Sequence, residues 1–180
     1  LEPQQVMEGA GVRLRRSIGS QALNYLDPFL LLDHFSSDDP DDYRAGFPLH
    51  PHRGIETVTY MLQGVVHHRD TLGNSGAIGA GEVQWMTAAG GIMHEEMPQV
   101  RPEGNHGFQL WVNLPAKLKM TRPRYRGVAA SEIPEIEADG GATVKIIAGS
   151  VGDTTGAVHE IAADPTYLDV KLPSNSSFTH

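Results

Sequence analysis

Short β-rich runs broken by turn residues, with almost no helical periodicity, limit this chain's fold more than any other feature of its sequence. Stretches rich in β-branched and aromatic residues at 11–18, 28–35, 55–64, 65–70, 82–88, 92–97, 107–114, 143–149, 156–161 and 166–172 read as strands. Between them, "LGNSG" (72–76) and "GAG" (79–81) carry residues that tolerate positive φ, as hairpin loops require. "SSDDPDD" (36–42) is an acidic loop, and "PAKLKMTRPRY" (115–125) has room for one helical turn before its second proline. Many short antiparallel strands at this spacing predict an all-β sandwich or barrel, with a jelly-roll β-barrel the better match.

At 180 residues the chain holds one sizeable domain and part of another. We divide it into a barrel at 1–128, a solvated linker at 129–142 and the opening strands of a second domain at 143–180. A net charge of -8 opposes direct contact with nucleic acid, whose affinity rests on clustered Lys and Arg. The absence of cysteine excludes disulfides, thiolate zinc sites and a cysteine nucleophile, so any metal must use histidine, carboxylate or water. No signal-peptide core is visible and the densest apolar run, "PFLLL", cannot span a bilayer, so a cytoplasmic protein without a membrane partner is expected.

The chemistry-bearing residues sit in two stretches. In "GFPLHPHRGIETVTYMLQG" (46–64), His50 and His52 are two apart. Side chains at i and i+2 of a strand share a face about 6.7 Å apart, close enough for two imidazoles to lean onto one ion. Glu56 keeps the same parity if the strand continues unbroken, with Val58 and Tyr60 further along that inward face. In "GGIMHEEMP" (90–98), His94 and Glu96 repeat the spacing, and parity selects Glu96 over Glu95. Gly90 and Gly91 allow a tight bend that aims His94 inward. Three neutral imidazoles and a carboxylate suit one borderline divalent metal and leave a position open for water or substrate.

A lone HxH is weak evidence, since most histidines are surface or hydrogen-bonded core residues; the HxE some forty residues later strengthens it. The HxHxDH pattern of zinc hydrolases is absent, because Gly54 and Ile55 occupy its last two positions. His67 and His68 read as surface residues, His34 and His106 as structural or pocket-lining, and His159 and His180 lie outside the barrel. Trp85 and Trp111 read as core. There is no GxSxG elbow, no GxxxxGK[ST] loop and no GxGxxG fingerprint.

"PFLLLDHF", "GFPLHPHRGIETVTYMLQG", "GEVQWMTAAGGIMHEEMP" and "HGFQLWVNLP" together resemble the N-terminal half of the pirins, a family of the cupin superfamily, over roughly residues 10–125. The general cupin pattern is met by His50, His52, Glu56, Gly64 and His94. The resemblance implies a cupin barrel followed by the first strands of a second, incomplete cupin domain, entered near "PTYLDVKLP". It also implies metal ligation by His50, His52, His94 and Glu96, with Glu56 in reserve because many cupins use that glutamate instead. Iron(II) is the expected ion, with Zn, Mn, Ni, Cu or Co acceptable to the same ligands.

Two functions follow from the resemblance. In one, the protein is a flavonol 2,4-dioxygenase (quercetinase) that opens a small planar aromatic substrate with O₂, Glu96 acting as the catalytic base and Val58, Tyr60 and Met93 walling the pocket. In the other, it is a non-enzymatic metal-dependent regulator that binds a protein partner, a transcription cofactor or a modulator of a metabolic enzyme; the nucleus is then an expected location if the source is eukaryotic.

Overall fold

The computed structural model describes residues 2–180, which separate into two units, one ending at Gly127 and one beginning at Val128. In the first unit the strands are β1 (Gln4–Glu8), β2 (Val12–Ile18), β3 (Phe29–Ser37), β4 (Phe47–His52), β5 (Ile55–Gln63), β6 (Val66–Asp70), β7 (Ser75–Ile78), β8 (Val83–Thr87), β9 (Ile92–Pro98), β10 (Asn105–Asn113) and β11 (Arg124–Val128), the last running one residue past the boundary. They form a seven-stranded sheet, ordered β1-β2-β3-β10-β5-β8-β11, and a four-stranded sheet, ordered β4-β9-β6-β7. This is the all-β, barrel-type architecture expected from the strand pattern. The helical turn anticipated after residue 115 is a single 3-10 turn, Ala116–Leu118.

Alternation sorts the side chains. In β2, Val12 and Leu14 are buried while Arg13 and Arg15 point to water, so every second residue faces the interior. Val12 and Leu14 pack with Tyr43, Phe35 and Phe47 at one side of the barrel. Met86, Ala88 and Ile92 pack with Tyr125 at another. Each fully buried Val, Leu, Ile or Met among these stabilises the fold by about 1.5–3 kcal/mol.

One glycine decides which residues face inward beyond β4. Gly54 adopts φ +71, a conformation other residues rarely take, and it lies where the chain leaves the four-stranded sheet for the seven-stranded one. Its N–H donates to the Ala89 carbonyl (2.7 Å), and its own carbonyl accepts from Lys119 Nζ (2.8 Å). The unbroken strand assumed from the sequence is therefore two strands in two sheets. Thr59 faces the barrel interior, whereas Glu56, Val58 and Tyr60 take the opposite face of β5.

Close backbone approach also constrains β10. A Cβ on Gly107 would lie 2.5 Å from the Tyr60 carbonyl oxygen and 2.7 Å from the Phe35 ring. Gly107→Ala is expected to destabilise the protein by about 1–3 kcal/mol, since the carbonyl cannot yield without displacing β5; urea denaturation monitored by tryptophan fluorescence measures it.

The second unit carries β12 (Glu135–Ala138), β13 (Ala142–Ala148), β14 (Ser150–Val151), β15 (Thr154–Thr155) and β16 (Tyr167–Lys171). β12, β13 and β16 form a three-stranded sheet over a core of Ala142, Val144 and Ile146. The segment read as a solvated linker thus contains a paired strand, β12. The strand expected at 156–161 is reduced to one bridge, Val158 to Ala148. Among the described residues, no helix is long and apolar enough to cross a membrane.

Candidate metal centre

The four-stranded sheet supplies His50 and His52 from β4 and His94 and Glu96 from β9. These strands are antiparallel neighbours with His50 opposite His94, which brings residues far apart in sequence onto one face. Ile92, His94 and Glu96 are buried, whereas Met93 points outward and is 39% exposed, so Met93 is no pocket wall.

The imidazoles of His50, His52 and His94 converge, with one nitrogen of each within 4.8 Å of the others. His50 Nε2 lies 3.0 Å from His52 Nε2. His50 Nδ1–H donates to the Pro48 carbonyl (2.9 Å), which leaves the Nε2 lone pair directed at its neighbour. His94 Nε2 is buried without a hydrogen-bond partner, while its Nδ1 lies 3.4 Å from Tyr125 Oη. An orphaned buried nitrogen beside two crowded imidazoles is costly in the bare protein and is satisfied by a shared cation. The donor set therefore fits a divalent ion.

Glu96 lies beside this group, Oε2 being 4.0 Å from His94 Nε2. Both its oxygens are held from the opposing sheet: Thr59 Oγ1 donates to Oε1 (2.8 Å) and Gln109 Nε2 to Oε2 (3.0 Å). Thr59 Oγ1 is also 2.8 Å from Gln109 Oε1. Glu56, the reserve ligand, stands apart on the other face of β5, accepting from Thr87 Oγ1 (2.7 Å).

Burial, with His94 and His50 next in weight, lowers the pKa of His52 to about 4. Burial, then His50, lowers His94 to about 3. Both rings are neutral at pH 7, the form that ligates metals. Because both folded values lie below the ordinary 6.5, the unfolded chain binds more protons as pH falls. The metal-free protein should therefore hold its full stability above about pH 6.5 and lose it progressively toward pH 4 and below. Urea midpoints at pH 7 and pH 5 check this, and an unchanged midpoint contradicts it.

Several neighbours were not anticipated. His68, read as a surface residue, is half-buried opposite Glu96 and stacks on Tyr125 with ring centroids 5.8 Å apart; its neighbour His67 is exposed. Trp111 meets His52 at a near-right angle, with ring centroids 5.0 Å apart, and lines a cavity of about 550 Å³ that His50, His52 and Glu96 also line. Strand parity would have found His68 had the β6–β9 pairing been known. Thr59 and Gln109 required knowledge of the β5–β10 register.

A family model described as Pirin matches residues 11–112. This chain belongs to the pirin family. A pirin-like protein of Caulobacter vibrioides is 49% identical over 97% of this chain and 64% of its own length. Human pirin is 47% identical over 92% of this chain and 55% of its own. The chain thus spans somewhat over half the length of these curated relatives. Among solved structures, a quercetin 2,3-dioxygenase from Acinetobacter baumannii superposes with a TM-score of 0.75 at 37% identity, covering 88% of this chain and 58% of its own.

Proposed function

We propose that this pirin-family chain holds one divalent ion, iron(II) foremost, on His50, His52, His94 and Glu96, and that it serves the O₂-dependent ring opening of flavonols such as quercetin. The observation that carries this reading is the convergence of three imidazole nitrogens, one of them buried and unpartnered, with the other two rings lining a cavity large enough for a flat aromatic molecule. The likeness to a quercetin 2,3-dioxygenase at 37% identity supports the substrate class.

A divalent ion held by His50, His52, His94 and Glu96 would supply Lewis acidity to a bound flavonol. Glu96, on loosening from the ion, takes the 3-hydroxyl proton as general base, aimed by the hydrogen bonds from Thr59 and Gln109. Trp111 and the apolar walls align the ring system and exclude water. Insertion of both O₂ atoms then opens the ring and expels one ring carbon as carbon monoxide, and the proton held by Glu96 passes to the carboxylate product.

Oxygen uptake and carbon monoxide release by the iron-loaded protein with quercetin test the reading. Sustained turnover is expected. Stoichiometric metal without turnover on any flavonol would refute it and favour a metal-dependent regulator of a protein partner.

A further inference from the structure

The interior of the seven-stranded sheet carries a row of polar residues that no metal ligand set requires. Arg16 on β2 pairs in register with Asp33 on β3, Asp33 with Gln109 on β10, and Gln109 with Thr59 on β5. All four line the same cavity as His50 and His52. One end of the row holds Glu96 through Thr59 and Gln109. The other end is an ion pair: Arg16 Nε and Nη2 each donate to Asp33 at 2.8 Å, and Arg16 Nη1 lies 2.8 Å from Glu8 Oε1.

Asp33 is 4% exposed, and burial raises its pKa in spite of Arg16. A buried ion pair is rarely worth more to stability than apolar residues of the same size, so its place on the cavity wall calls for another reason. The pair has spare hydrogen-bonding capacity: each Asp33 oxygen keeps a free lone pair, and two guanidinium N–H groups are uncommitted by these three contacts. Glu8, Arg16 and Asp33 together carry one net negative charge, which favours neutral hydroxyl donors and repels carboxylates. From β3 to β5, where Thr59 holds Glu96, is two strand spacings, roughly 10 Å, on the scale of a flavonol skeleton.

We infer that Asp33 and Arg16 form a distal subsite that binds the hydroxyl groups of the substrate's far ring and thereby selects polyhydroxylated flavonols. This inference rests on the proposed flavonol reading and adds the residues that set specificity. The subsite acts on binding, so calorimetric affinity of the zinc-loaded full chain for galangin, kaempferol and quercetin, which share the same 3, 5 and 7 hydroxyls, measures it without turnover. These ligands carry none, one and two hydroxyls on the distal ring.

Affinity should rise on the order of tenfold per distal hydroxyl in the wild type, as for hydrogen bonds to a charged group. In the double variant Arg16→Met/Asp33→Leu the affinities for galangin, kaempferol and quercetin should become equal. Equal affinities in the wild type, a comparison that needs no variant, would overturn the subsite while leaving flavonol binding intact. A gradient that survives in the folded double variant would also overturn it. If none of the three binds the wild type, both the subsite and the flavonol reading fall.

Discussion

His52→Ala is expected to lower metal affinity by more than about 100-fold and to abolish flavonol-dependent oxygen uptake. Loss of an outer partner of a metal ligand commonly costs ~10–100-fold in affinity, and a direct ligand should cost more. The expectation is specific to the geometry: His50 Nε2 and His94 would remain, but their pairing with the nitrogen 3.0 Å from His50 would be gone. Metal content by elemental analysis after dialysis, alongside circular dichroism to confirm folding, measures the effect. Wild-type metal content in the folded variant would show that the ion binds elsewhere.

Glu96→Gln should have the second largest effect, of a different kind. The amide retains size and can still accept from Thr59, but it cannot take a proton from a substrate hydroxyl. Turnover is expected to fall by about 10²–10⁴-fold, while the three imidazoles retain most of the metal. A parallel loss of metal and activity would make Glu96 chiefly a ligand; near-normal turnover would remove it from proton transfer. Comparing metal content with kcat separates these outcomes.

The interior strands were legible because burial on both sides leaves a plain β-branched signature, as in "IETVTYMLQG". Of the strands not read as separate elements, β1, β4, β7, β11 and β12 lie at sheet edges, and β14 and β15 form a two-stranded sheet of their own. Edge strands tolerate proline, charge and glycine, so Pro48 and Pro51 in β4 and Gly76 in β7 disguised them. His94 and Glu96 could be paired from alternation within one strand. Glu56 could not be placed, because alternation fails across Gly54 and the chain changes sheets there. Thr59 and Gln109 meet Glu96 only through pairing between residues 50 apart, information that no local window contains.

All four candidate ligands belong to the smaller sheet, while the two residues that grip Glu96 belong to the larger. A slight breathing of one sheet against the other would alter the aim of the carboxylate yet leave the spacing of the imidazoles untouched. Mutations that loosen the barrel should then slow chemistry long before they release the ion, so a protein that still stains for metal need not be a working catalyst.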